Sequence, residues 1–114
     1  MPIKSKYGAK RCRFNDISFP SMLERDCYIA LLAAQKDGKI DYILRQVGFD
    51  LPAGYRHFVD FGVVINGKIF YLESKGRDLA MGKMRRLQAS AINNITIHVI
   101  KKPAEIHPLL DKFL

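Results

Sequence analysis

The sequence predicts a single α/β domain: one helix, a three-stranded antiparallel meander, a crossover helix and a fourth strand. Three observations carry this. Apolar residues recur at helical spacing between Ser21 and Lys36. Asn66-Gly67, a pair suited to a two-residue hairpin turn with positive φ at both positions, is flanked by β-branched and aromatic runs. A second helical stretch and a second β-branched run then follow in the order that builds a parallel crossover. With 114 residues there is room for one core.

Residues 1–14 carry Lys4, Lys6, Lys10, Arg11 and Arg13 without an acid and read as a basic N-terminal arm, the domain proper occupying residues 15–114. Pro20-Ser21 opens the first helix, where Ser21 and Glu24 have the spacing of a capping box. Leu23, Cys27, Ala30, Leu31 and Ala34 form its apolar face, and Asp37-Gly38 ends it. Ile40 to Leu51 makes the first strand, closed by Pro52 and Gly54. Gln46 within it reads as a solvated strand residue or a substrate contact.

The stretch from His57 to Lys75 is the hairpin. Placing Ile65 opposite Lys68 pairs Val63 with Phe70, Phe61 with Leu72 and Asp60 with Glu73. Phe61, Val63, Ile65, Phe70 and Leu72 then form a face that must pack on helices. Asp60 and Glu73 share the other face, and Lys75 points the same way as Glu73. Two carboxylates about 5 Å apart at an effective dielectric near 20 repel by roughly 3 kcal/mol. The pattern therefore calls for a cation, either Lys75 or a divalent metal with oxygen ligands; the alternative is a hairpin end whose charges are solvated.

Asp78 to Ala91 is the crossover helix, with an apolar stripe of Ala80, Met84, Leu87 and Ala91. Its other side carries Lys83, Arg85 and Arg86, with Arg77 just ahead. Such a run is either a solvated face or a set of phosphate contacts. Asn93-Asn94 turns the chain into a strand at Ile95 to Ile100, and residues 101–114 close with a short helix interrupted or restarted at Pro108.

The composition excludes several classes. A net charge of +8 suits a polyanionic partner. No run of apolar residues is long enough for a membrane span, no leader peptide is visible, and a cytoplasmic location is expected. Cys12 and Cys27 have no partner cysteines at metal-ligand spacing and read as free thiols. His57, His98 and His107 are scattered without a Ser-His-Asp order or a phosphate-cradling glycine loop; His57 lies near Lys75 in the hairpin register but is not expected to be a ligand.

Asp60 ending one strand, the short hairpin, and Glu73-Ser74-Lys75 on the next strand resemble the PD-(D/E)XK nuclease superfamily. Val59 stands where the family name has proline. Ser21-Met22-Leu23-Glu24, Asp60-Phe61 and Glu73-Ser74-Lys75-Gly76 occur in the order seen in small phage Holliday junction resolvases of the endonuclease I type and related small phage nucleases. The resemblance spans Ser21 to Gly76, about half the chain. It implies a restriction-endonuclease-like core and a metal-dependent endodeoxyribonuclease acting on branched DNA, with Glu24, Asp60, Glu73 and Lys75 as catalytic residues. Mg²⁺ or Mn²⁺ would be held by Asp60, Glu73, the Ser74 carbonyl and Glu24, and the last of these has a second possible role as a helix cap. DNA contacts would come from Lys10, Arg11, Arg13, Arg77, Lys83, Arg85 and Arg86. Two symmetric cuts from a one-site chain imply a homodimer. A nicking, restriction-like or homing enzyme on duplex DNA, or a non-catalytic nucleic-acid-binding module of the same fold, fits the same residues.

Overall fold

The computed structural model describes residues 11–114, so the part of the basic arm holding Lys4, Lys6 and Lys10 lies outside the described residues. These residues form an α/β domain with a four-stranded mixed sheet of order β3-β4-β5-β6 and a separate two-stranded ribbon. The ribbon, β1 (Cys12–Phe14) and β2 (Ile17–Phe19), was not expected. Asn15 and Asp16 connect its strands, both at positive φ (49° and 61°), the arrangement that a two-residue primed turn requires. Folded chain thus begins inside the expected arm.

Helix α1 spans Met22–Lys36. Ser21 sits in extended backbone at its N-cap, and its hydroxyl accepts from the Glu24 N–H at 3.1 Å. At the other end Gly38 takes φ +81°, and the Lys39 N–H donates to the Ala34 carbonyl at 2.9 Å, so the last turn closes through a residue free of a Cβ clash.

Strand β3 (Tyr42–Asp50) pairs antiparallel with β4 (Arg56–Ile65), and β4 with β5 (Lys68–Ser74). The hairpin register is the expected one, from Ile65 opposite Lys68 to Phe61 opposite Leu72, where the ladder stops. Helix α2 (Ala80–Asn93) crosses over to β6 (Ile97–Ile100), which lies parallel to β5. Asn94, left-handed at φ 51°, ends α2 two residues later than expected. Helix α3 (Ile106–Phe113) is not broken by Pro108: a 3₁₀ turn over Pro103–Glu105 precedes it, and Pro108 falls in its first turn, where a missing N–H loses no helical bond.

The core lies where the hairpin predicts. Phe61, Val63, Ile65 and Leu72 are buried against Cys27, Leu31 and Ala34 of α1 and Ile106 and Leu110 of α3. Tyr28 stacks on Phe61 with ring centroids 6.2 Å apart, and Phe70 stacks on Phe113 at 4.0 Å.

Helix α2 is seated differently from the expectation. Its apolar stripe faces outward, with Met84 and Leu87 more than half exposed and Ala80 and Ala91 exposed as well. Its buried residues are Arg86 and Ala89. The reason is electrostatic: Arg86 has the buried Glu73 carboxylate to meet, and bringing it in turns the stripe out. No helix among the described residues is long and apolar enough to cross a membrane.

Candidate functional site

Glu24 projects from the first turn of α1, and its carboxylate does not return to cap the helix. Glu24 Oε2 accepts from the side-chain amide of Gln46 at 3.1 Å and from Arg45 Nη2 at 3.4 Å, and the residue is only 3% exposed. Ser21 alone caps, which leaves Glu24 free for the site.

Asp60 sits where the β4–β5 ladder ends. Its Oδ2 accepts from both the backbone N–H and the hydroxyl of Ser74, each at 2.8 Å, while Oδ1 faces the same Gln46 amide at 3.4 Å. One amide nitrogen therefore lies between two acids drawn from different elements. Burial, followed by the charge of Asp60, pushes the Glu24 carboxyl up to about 7. Asp60 is raised as well, first by burial; the Ser74 bonds and Lys75 pull it down and Glu73 pushes it up.

Gln46 is exposed, as its reading as a solvated strand position has it, but its amide is engaged by Glu24 and Asp60. Its φ is 53°, inside a strand whose flanking pairs Arg45–Phe61 and Val47–Val59 keep their register. A left-handed non-glycine residue in mid-strand costs on the order of 1–3 kcal/mol and persists only where its surroundings enforce it. No sequence signal marks this backbone state; polar identity in an apolar strand is the one clue.

Glu73 takes different partners from Asp60. It is 1% exposed, with Oε1 2.5 Å from His57 Nε2 and Oε2 3.3 Å from Arg86 Nη1. Arg86 also makes a two-pronged pair with Asp78, at 2.8 and 2.6 Å. That pairing raises Arg86 and, through the same hydrogen bonds, lowers Asp78. Asp60 and Glu73 are thus near enough to interact electrostatically, but each is satisfied separately, and the acid that meets Asp60 is Glu24.

One expectation changes accordingly. Arg86, grouped with the phosphate-contacting cations, is buried at 7% exposure and committed to Glu73 and Asp78. His57, which the hairpin register put near Lys75, is a buried partner of Glu73. The other cations are on the surface: Arg11, Arg13, Arg77 and Lys83 are exposed, and Arg85 lies over the Tyr55 ring at 5.2 Å. Lys10 lies outside the described residues. Lys75 is half-buried and its backbone N–H donates to the Ile100 carbonyl, while its side chain forms no ion pair with a described residue. Cys12 and Cys27 are free thiols, and burial pushes Cys27 up to about 12, which leaves it unreactive.

Among the described residues no three His, Cys, Asp or Glu side chains are grouped as a metal cage. The Glu24–Asp60 pair nevertheless suits Mg²⁺, which binds through one or two carboxylates and keeps several waters rather than requiring a full protein shell. The buried Glu24 and the half-buried Asp60, both with raised proton affinity, face a single N–H donor, and Arg45 is paired with Glu24.

The chain shows no significant match to a protein-family model, to a curated protein or to a solved structure.

Proposed function

We propose that the protein is a metal-dependent endodeoxyribonuclease with a restriction-endonuclease-like core, acting on branched DNA such as a four-way junction. The observation that carries this reading is the convergence of Glu24 and Asp60 on one amide, with the charge of Lys75 acting on Asp60 and with Arg77 and Lys83 exposed on the same chain. Glu24 and Asp60 would hold the cation, and Glu73 would join them only on leaving Arg86. A bound Mg²⁺ or Mn²⁺ would offset charge on the phosphate and lower the pKa of the attacking water. Ser74 orients Asp60 through two donors, fixing Oδ2 so that Oδ1 faces the site. Lys75, whose side chain pairs with no acid among the described residues, brings its charge to Asp60, where it would orient the attacking water and offset developing negative charge. Arg77 and Lys83, with Arg13 on the ribbon and Arg11 just ahead of it, would hold the flanking phosphates.

A second reading is favoured by one observation: Glu73 is locked between His57 and Arg86, as it would be in a nucleic-acid-binding module that does not cut. Incubation of labelled linear duplex, single strand, flap and four-way junction with the protein, with and without Mg²⁺, separates the two. Mg²⁺-dependent cutting of the junction, lost in Asp60→Asn and Lys75→Ala with binding retained in a gel shift, is the expected result. Binding without cutting in any metal would overturn the nuclease reading in favour of the module. Cutting of linear duplex as readily as the junction would instead place it with nicking, restriction-like or homing enzymes.

A further inference from the structure

Gln46 has the features of a working residue rather than a spacer. It adopts φ 53° in mid-strand, a conformation that its chain neighbours do not share. Its amide nitrogen is placed between Glu24 Oε2 at 3.1 Å and Asp60 Oδ1 at 3.4 Å, the two oxygens that a cation between these acids would contact. Asp60 Oδ2 is already occupied by both donors of Ser74, so Oδ1 is the oxygen left over. Without an ion, the Gln46 N–H is the donor that stands between the two acids. The terminal torsion of glutamine has broad, roughly twofold wells, so the same side chain can turn its carbonyl oxygen into that position with little change elsewhere. Hard divalent cations accept amide carbonyls beside carboxylates.

We propose that Gln46 is an oxygen ligand for a divalent cation seated between Glu24 and Asp60, its amide N–H holding the acids together until the ion enters and its carbonyl then turns inward. The inference rests on the cation site of the nuclease reading and adds a ligand to it. Arg45, which shares Glu24 Oε2 at 3.4 Å, keeps its place over the Phe19 ring, 4.3 Å from the centroid.

The test is Mn²⁺ binding, read as loss of the free-ion signal in electron paramagnetic resonance, with no DNA present. Four proteins are compared: wild type, Gln46→Met, Gln46→Glu and Asp60→Asn. Methionine keeps length but offers no hard oxygen; glutamate offers a charged one and no N–H. Gln46→Met is expected to weaken Mn²⁺ about tenfold, the size typical for removing a supporting group at a metal, and Gln46→Glu to tighten it, because each added ligand charge raises affinity. The loss in Gln46→Met is the deciding arm, because a new carboxylate beside the acids draws a cation whatever the glutamine does. Unchanged or tighter binding in Gln46→Met, or no gain in Gln46→Glu, overturns the proposal if Asp60→Asn has lost binding. If Asp60→Asn binds Mn²⁺ as wild type does, the cation site itself is wrong and both readings fall. Should Gln46→Met not fold, Gln46→Ala, which also removes the carbonyl oxygen, takes its place with the same expected loss.

Discussion

Glu73 and Arg86 meet in the interior, Nη1 of the guanidinium 3.3 Å from Oε2 of the carboxylate, with side chains 1% and 8% exposed. The pair ties the end of β5 to the middle of α2. It explains why that helix buries a charged residue and leaves Met84 and Leu87 in solvent.

Removing one partner of such a pair strands the other charge in a poor dielectric. Arg86→Met is expected to destabilise by about 3–5 kcal/mol, a drop in melting temperature of roughly fifteen degrees or more for a domain of this size. Arg85→Met, which loses only a partly exposed contact with the Tyr55 ring, is expected to change stability by about 1 kcal/mol or less. Thermal scans of the two variants check this; equal shifts would mean that the buried pair contributes nothing particular.

The Glu24 carboxyl makes stability pH-dependent in a direction opposite to that of most surface acids. Its folded pKa of about 7 lies above its ordinary value of 4.5. Between those values the folded state binds the proton more tightly than the unfolded state, so stability is full below the lower value and falls as pH rises through the window, by about 3 kcal/mol in all. In chelator, wild type should melt lower as pH rises from about 4.5 to about 7, and Glu24→Gln should flatten that slope. An unchanged slope would remove Glu24 from the shared site.

Metal should reverse this loss. A cation that binds only the folded form at a hundredfold excess over its dissociation constant adds about 2.7 kcal/mol, on the order of ten degrees. Asp60→Asn keeps an oxygen for Ser74 and offers an amide to Glu24. It is expected to melt higher than wild type in chelator and to gain little from millimolar Mn²⁺. A wild type indifferent to Mn²⁺, with an Asp60→Asn variant that melts lower in chelator, would leave the acids without a cation to hold.

Assembly is expected to follow α2 rather than α1. The first helix spends Cys27, Leu31 and Ala34 on the core. Ala80, Met84, Leu87 and Ala91 recur at alternating four- and three-residue spacing on an exposed face, the pattern of a helix-pairing seam. Light scattering should show a dimer that Met84→Glu with Leu87→Glu converts to a monomer. A monomeric wild type, both free and on a junction, would count against paired cutting.

The sequence by itself determined the elements whose causes are local. Ser21 and Gly38 bracket α1, Asn66-Gly67 sets the hairpin register as far as Phe61 and Leu72, and the alternation on that hairpin selects the core face. The hairpin register also brought Asp60, Glu73 and Lys75 near one another, whereas local pattern alone read Glu24 as a helix cap. The ribbon at residues 12–19 was equally local, since Asn15-Asp16 is its own turn signal, though a weaker one than Asn-Gly. Only the tertiary structure decided which acids meet. Extending the hairpin count by one residue pairs Asp60 with Glu73, but Ser74 binds the Asp60 carboxylate and breaks the ladder there, so Asp60 turns to Glu24, 36 positions earlier in the chain. Glu73 then finds Arg86 and His57, and Arg86 dictates the rotation of α2 against its own apolar stripe. Periodicity reports where apolar side chains fall around a helix. It does not report that a buried carboxylate on another element needs a counter-charge more than those side chains need cover, because that balance exists only once the elements are packed.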